Sequence, residues 1–132
     1  MASNVTPVTL KIDGFADREI LSVKYTFERK TDLEGQLAGI PRGGLIDITV
    51  KALNDGNNQL IGWMLDPTSP KDVKIEFVNT VDGKAEKTLE GKNCYCIHYN
   101  ETWEEGVGDQ ETITIVCQEF KNGGASFVND WK

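Results

Sequence analysis

Residues 28–44 read ERKTDLEGQLAGIPRGG, and residues 45–50, which follow directly, read LIDITV. The second stretch is predicted to be a strand, because its hydrophobic residues alternate with polar ones. The first is predicted to be an outsized loop between two strands, since connections in compact domains usually run to about 4–6 residues. Loops longer than about 12–15 residues are usually functional or disordered. The hydrophobic residues in this loop do not fit disorder, so we expect it to dock on another surface.

The loop contains seven residues suited to such an interface, namely Leu33, Leu37, Ile40, Pro41, Arg42, Gly43 and Gly44. The leucines and the isoleucine would be its apolar anchors. The proline fixes φ and stiffens the exit of the loop, and the two glycines permit a tight course back into the sheet. The arginine would present its guanidinium group to a carboxylate of the surface on which the loop docks.

The chain has 132 residues, enough for one domain over residues 1–132, and a formal net charge of −7. That charge argues against a nucleic-acid partner, which requires clustered Lys and Arg. No hydrophobic run approaches the roughly 18 residues of a membrane span, so no insertion into a membrane is expected. The first seven residues lack the basic and apolar regions of a signal peptide, so we expect synthesis and folding in the cytoplasm.

Alternating patterns predict seven or eight short strands, at about 8–12, 21–27, 45–52, 73–77, 84–90, 93–103 and 111–121, with a short segment near the end. One short helix is predicted over about 58–65, with Leu60, Ile61, Met64 and Leu65 on its buried face and Trp63 beside them. The fold class is therefore mainly β: a compact β-barrel of two packed sheets with one flanking α-helix and a long protruding loop.

Several finer expectations follow the same patterns. Leu21 is predicted to share the apolar face of its strand with the hydrophobic residues at 23, 25 and 27, and Phe120 to lie opposite the buried face of strand 111–121. Asp82 and Gly83 predict a tight hairpin turn. The strand at 84–90 has few hydrophobic residues, which is typical of an edge strand or of a partly solvated strand.

Cys94, Cys96 and His98 are spaced two apart, so they are predicted to share one face of a strand, with Cys117 on the partner strand. A zinc site would need all its ligands within about 2.0–2.3 Å of one point. The first and last of the three would lie roughly 13 Å apart along a strand, so we expect buried thiols and no metal or other cofactor. A nucleophilic Cys–His pair has no oxyanion loop or orienting acid beside it, so we do not expect an enzyme.

Five acidic residues surround a glycine-containing turn: Glu101, Glu104, Glu105, Asp109 and Glu111. Their spacing does not match a calcium-binding loop, so they are predicted to form a solvated hairpin tip. Strands 45–52 and 93–103 also carry large side chains on both faces, whereas one face of a monomeric barrel is expected to be mostly polar. This favours self-assembly through the second face; the alternative is that the helix and the tail cover it.

Taken together, five segments resemble one family: KIDG (11–14), PRGGLIDITV (41–50), the helix with Trp63, NCYCIHYNETW (93–103) and ASFVNDW (125–131). The chain is similar to the tube protein of the type VI secretion system, the haemolysin-coregulated protein (Hcp or TssD), in its Bacteroidetes form. The resemblance implies a barrel whose copies form hexameric rings that stack into a hollow tube. It also implies a contractile sheath, a spike protein (VgrG), effector proteins in the lumen, and export without a signal peptide.

In that family the long loop after the second strand reaches toward an adjacent subunit or ring, which implies the same role for the loop described above. Two other functions stay open on the residues alone. One is a monomeric barrel that binds a small ligand in its interior, for which eight strands leave just enough room. The other is a phage-type tail tube subunit, which follows the same assembly logic.

Overall fold

The computed structural model describes residues 8–31, 37–42, 45–53, 56–66, 68–78 and 85–128. Within these residues the chain forms β1 (Val8–Ile12), β2 (Arg18–Tyr25), β3 (Glu28–Thr31), β4 (Leu37–Arg42), β5 (Leu45–Lys51), α1 (Gln59–Leu65), β6 (Lys71–Val78), β7 (Ala85–Glu104), β8 (Gly108–Asn122) and β9 (Ala125–Val128). The turn predicted at Asp82 and Gly83 lies outside the described residues.

Six of the strands close into an antiparallel barrel. Their order is β5-β2-β1-β6-β7-β8, and pairing between β5 and β8 completes the circle. The predicted mainly β barrel is therefore confirmed, with one helix among the described residues, and the two sheets of the prediction are parts of one continuous sheet. The short strand β9 adds to the end of β8, where Phe127 lies opposite Phe120.

Strand β7 is one continuous strand of 20 residues, where the sequence patterns predicted two. Its first half is not an edge strand, because Leu89 pairs with Ile75 of β6 on one side and with Asn122 of β8 on the other. The edge alternative is therefore wrong, because hydrophobic content does not reveal missing neighbours. The alternative of a partly solvated strand agrees with the structure, since Lys87 is exposed and Leu89 is buried. Asn93, with φ of 51°, lies where the register with β6 shifts, so the strand bends there without ending.

Among the residues whose burial the structure describes, seventeen buried hydrophobic side chains fill the barrel and the space beneath α1: Leu10, Ile12, Ile20, Ile46, Ile48, Val50, Leu60, Trp63, Val73, Ile75, Leu89, Cys94, Cys96, Ile113, Ile115, Cys117 and Phe120. Most of them occupy the inward positions that the alternating patterns predict. A helix as short as α1 depends on such packing for its stability.

The buried face of α1 differs from the prediction. Leu60 and Trp63 are buried, whereas Leu65 is 73% exposed and Ile61 is 38% exposed. The indole of Trp63 occupies the core position and donates a hydrogen bond from Nε1 to Ser69 O at 2.9 Å. Because the largest side chain of the helix sets its orientation, the predicted apolar face is rotated toward solvent.

Irregularities in the strands reverse two further assignments. The register of β2 against β5 shifts between Ile20 and Ser22, so Ile20 is buried and Leu21 is 48% exposed. On β8 the alternation ends after Cys117, and Phe120 turns into the core. There its ring centroid lies 4.8 Å from that of Tyr25.

A buried ion pair closes one end of the barrel. Arg18, which lies outside the predicted strands, donates from Nη2 to Glu111 Oε1 and to Lys51 O. Tyr99 donates its hydroxyl proton to Glu111 Oε2 at 2.7 Å. Glu111 is therefore not part of the solvated hairpin tip, because it is 3% exposed and bonded on both carboxylate oxygens. Of the other acidic residues of that tip, Glu101, Glu104 and Glu105 are exposed as predicted, and Asp109 is half-buried.

Candidate assembly surface

The predicted long loop contains a two-stranded hairpin. Strand β3 pairs antiparallel with β4, with Thr31 opposite Leu37 and Glu28 opposite Arg42. Sequence reasoning missed these strands because they are short and because glycine and proline interrupt β4. The two strands are separated by five residues, a common length for a hairpin loop, and this spacing could have indicated a hairpin.

The structure brings four of the seven predicted interface residues together on β4: Leu37, Ile40, Pro41 and Arg42. Leu33, Gly43 and Gly44 lie outside the described residues. The interface role of all seven residues stays a prediction.

The hairpin forms a sheet of its own. Its two strands pair with each other and, within the part of the chain that the structure describes, not with the barrel. The barrel strands that it joins are paired up to Tyr25 and Ile46. A solitary two-stranded hairpin is at best marginally stable in water, so a contact with another surface would stabilise it.

The outer surface of β5, β8 and β7 forms a second candidate. Its outward residues lie in four rows across the three strands: Leu45–Val116–Tyr95, Asp47–Thr114–His98, Thr49–Thr112–Asn100 and Lys51–Gln110–Thr102. We call these twelve residues the β5–β8–β7 face. Side-chain hydrogen bonds join neighbouring strands within its rows, including one of 3.0 Å between the hydroxyl oxygens of Thr49 and Thr112.

The β5–β8–β7 face carries few charges for a chain with a net charge of −7. Among its twelve residues, the acidic and basic side chains are Asp47 and Lys51, with His98 counted as neutral. Asp47 accepts a hydrogen bond from Thr114 Oγ1 at 2.6 Å. The opposite side of the barrel is different, because Lys11, Lys74 and Glu90 form one charged row across β1, β6 and β7. Depletion of charge is characteristic of the centre of protein interfaces.

Exposed hydrophobic side chains concentrate at the two ends of this face. Of the eight large hydrophobic residues that are exposed among the described ones, five lie on or beside it: Leu21, Leu45, Ile97, Trp103 and Val107. Trp103 is 71% exposed and borders a groove of about 550 Å³, together with Leu21 and Val107. The described helix and strands therefore leave this face uncovered, which agrees with the expectation of a surface for self-assembly.

The cysteines lie beneath this surface. All three are buried thiols, as predicted, with Cys94 and Cys117 completely inaccessible. His98 does not share their face, because the register of β7 against β8 shifts between Cys96 and His98 and turns the imidazole outward. Among the described residues, no three His, Cys, Asp or Glu side chains lie close enough together to hold a metal ion.

The helix α1, the single helix of the described part, has seven residues and does not reach across a membrane. Residues 6–132 match the family profile described as "Hemolysin coregulated protein Hcp (TssD)". No curated protein matches the sequence.

Several solved structures have the same fold. Hcp1 from Flavobacterium johnsoniae is 27% identical, with a TM-score of 0.85 over 93% of this chain and 99% of that one. Hcp1 from the E. coli EAEC 042 pathovar is 14% identical, with a TM-score of 0.76 over 96% and 100% of the two chains. A chain of the anti-feeding prophage baseplate, solved by cryo-EM with six-fold symmetrisation, is 12% identical, with a TM-score of 0.59 over 94% and 95%. The last two similarities concern the fold alone.

Proposed function

The chain belongs to the hemolysin coregulated protein (Hcp, TssD) family, and from this premise we propose that it is a structural subunit of the inner tube of a type VI secretion system. In this proposal residues 1–132 form one Hcp-like domain, six copies close into a ring, and rings stack into a hollow tube. The subunit carries no catalytic site and needs no cofactor.

The observation that carries the proposal is the exposed, weakly charged β5–β8–β7 face. Two copies at −7 each repel one another, and the repulsion is smallest where the contacting surfaces are uncharged. A basic partner would instead favour the acidic hairpin tip around Glu104 and Glu105. Charge therefore favours a second copy of this chain as the occupant of the face.

The size of the face requires further contacts. Three strands about 4.8 Å apart and seven residues long cover a footprint of roughly 350 Å². A stable interface buries about 800 Å² on each partner. We infer that the groove beside Trp103, which is continuous with the face through Lys51 and Gln110, is buried in the same ring contact.

The β3–β4 hairpin supplies the contact between rings. Stacking would stabilise a hairpin that has no strand neighbour in the described part of its own subunit. Leu37 and Ile40 would be the apolar anchors and Arg42 the group that meets a carboxylate. Since each copy of the chain is acidic, such carboxylates are abundant on the neighbouring ring.

The remaining partners follow from the tube. A contractile sheath would surround it, the spike protein (VgrG) would cap it, and effector proteins would travel in its lumen. The subunit would be made in the cytoplasm and leave the cell with the tube. A monomeric barrel with a ligand in its interior is less well supported, because core side chains such as Ile48, Ile75 and Ile113 fill that space.

Native mass spectrometry and electron microscopy test the proposal. The wild-type chain is expected at about 88 kDa, six times 14.7 kDa, and as rings in micrographs. Thr112→Lys places a charge in the middle of the β5–β8–β7 face and should yield a folded monomer, since burying an unpaired charge is costly. Thr88→Lys makes the same change opposite Glu76 on the charged side and should leave the ring intact.

A wild-type chain that stays at 14.7 kDa at every concentration would overturn the tube function. Rings formed equally by Thr112→Lys and Thr88→Lys would show that the ring contact lies elsewhere on the barrel.

A further inference from the structure

Cys94 and Cys117 face each other across β7 and β8. They are Cα partners in the antiparallel ladder, and both are completely buried. The Cys94 thiol donates toward Cys117 Sγ, with 2.8 Å between the sulfur atoms. The third cysteine, Cys96, lies opposite Ile115 and donates instead to His98 O at 3.4 Å.

Gly91 makes room for this sulfur pair. A Cβ at this position would lie 2.6 Å from Cys117 Sγ and 2.7 Å from Cys94 Sγ, far inside van der Waals contact. The backbone of Gly91 does not lie in the left-handed region, so no turn requires the glycine. The two thiols account for the glycine at position 91, because they occupy the space that any other side chain would need.

We infer that Cys94 and Cys117 form a redox site, which closes to an intramolecular disulfide when the protein passes from reducing to oxidising surroundings. Passage out of the cell rests on the proposed function, whereas the chemistry of the pair does not. The reduced, folded chain would meet such surroundings only after its barrel has formed, so the bond would lock a completed β7–β8 hairpin.

The geometry of the ladder suits this bond. Opposite residues in an antiparallel pair have Cα atoms about 4.5–5.5 Å apart, within the range of about 4.4–6.8 Å that disulfides span. The S–S bond is about 2.05 Å long, so the sulfurs need to approach by roughly 0.8 Å from their present separation. Rotation about the two Cα–Cβ bonds can supply such a movement without a change in strand pairing.

The reaction consumes a two-electron oxidant, for which hydrogen peroxide is a suitable small probe. One thiol attacks the peroxide to give a sulfenic acid and one water, and the second thiol displaces a second water as the S–S bond forms. The two thiols lose two hydrogen atoms, and the peroxide is reduced to two molecules of water.

The pair is also protected until it reacts. The hydrogen bond from Cys94 to Cys117 and the burial of Cys94 both raise the pKa of the Cys94 thiol far above the usual range. Little of the reactive thiolate is therefore present at neutral pH. Oxidation is therefore expected to be slower than that of an exposed thiol such as glutathione. Burial raises the pKa of Cys96 to about 11, but this residue has no second cysteine opposite it.

The test uses the full-length reduced protein, treated with hydrogen peroxide, denatured and alkylated with N-ethylmaleimide. Untreated protein should take up three alkyl groups, one for each cysteine. Oxidised protein should take up one, on Cys96, and peptide mapping should recover Cys94 linked to Cys117. The midpoint of thermal unfolding should rise by at least about 5 °C and return on reduction, because the bond restricts the unfolded chain.

Cys96→Ala is the matched control and should take up two alkyl groups before oxidation and none after it. Three alkylated cysteines after prolonged oxidation, a linkage that includes Cys96, or a lowered midpoint would each overturn the inference. Peptide mapping of the wild-type chain decides the question even if Cys94→Ala or Cys117→Ala fails to fold. The oligomeric mass of the same samples tests the proposed function separately, since a monomer that forms the disulfide refutes only the tube.

Discussion

Arg18 and Glu111 are the two charged side chains that are buried among the described residues, each 3% exposed. Burying two charges is costly, and their attraction offsets this cost only where hydrogen bonds satisfy the remaining polar atoms. Lys51 O accepts a second bond from the guanidinium group, and Tyr99 donates to the second carboxylate oxygen, whereas Arg18 Nε has no hydrogen-bond partner in the described part of the chain. The pair thus connects β2, β5, β7 and β8 at one end of the barrel.

Breaking this pair should be more harmful than replacing it. We expect Arg18→Met and Glu111→Leu each to lower the free energy of unfolding by about 3–5 kcal/mol, because the remaining charge is buried without compensation. The double variant should be clearly more stable than the sum of the two losses predicts. Urea unfolding of the four proteins measures this coupling, and strictly additive losses would show that the two side chains act independently.

Tyr99 gives a pH-dependent test at the same site. Burial and the hydrogen bond to Glu111 raise the pKa of its hydroxyl above the ordinary value. The unfolded chain releases this proton near pH 10, while the folded chain still holds it. The stabilisation by Tyr99 is therefore fully present below about pH 10 and is lost as pH rises through the raised pKa.

We expect Tyr99→Phe to cost about 1 kcal/mol at neutral pH, since one oxygen of Glu111 loses its donor. Above pH 10 the variant should lose stability less steeply than the wild-type chain. Denaturant midpoints measured from pH 7 to 11 test both effects. If the midpoints of the two proteins fall in parallel as pH rises, Tyr99 does not contribute to the loss of stability at alkaline pH.

At the scale of elements, the β3–β4 hairpin and the barrel form separate sheets, for which we propose separate roles. The barrel core is built from other strands, and the free energy of loop closure changes slowly with loop length. Replacing residues 33–40 with a short Gly-Ser linker should therefore leave near-native circular dichroism but abolish stacking, and ring closure could be lost as well.

The matched control inserts the same linker after Gly14, in the exposed turn between β1 and β2. Circular dichroism and electron microscopy of both variants decide the outcome. Normal tubes from the 33–40 replacement would refute the role of the hairpin in stacking. Unfolding of that variant would place Leu37 and Ile40 in the core of their own subunit.

At the scale of the whole molecule, charge governs how copies approach. In the proposed ring, six copies at −7 each would give a charge of about −42, and such rings would repel one another at low ionic strength. Ring closure through the weakly charged β5–β8–β7 face should depend less on salt than stacking does. We therefore expect added sodium chloride to promote stacking while the mass of the single ring stays constant.

Light scattering measures stacking across a salt series, and native mass measurements in the same series measure ring closure. A steady fall in stacking as salt rises would contradict the expectation and would point to salt bridges between rings, for example at Arg42.

Much of the fold was predictable because a strand reveals its two faces locally. Ile46, Ile48 and Val50 alternate with polar residues, and this period of two is sufficient to place them in the core. The turn after Glu104 and the burial of the cysteines followed from equally local signals. The resemblance carried by PRGGLIDITV and the other segments led to the family that the profile match shows.

The tertiary structure alone decided which exceptions occur. Bulges exchange the roles of Ile20 and Leu21 and turn His98 outward, and they arise from pairing with a neighbouring strand that the local pattern does not contain. Glu111 is buried because Arg18, 93 residues away in sequence, comes to lie beside it. Local periodicity determines the two faces of a strand. The burial of a charge and the position of a bulge depend instead on residues that only the closed barrel brings together.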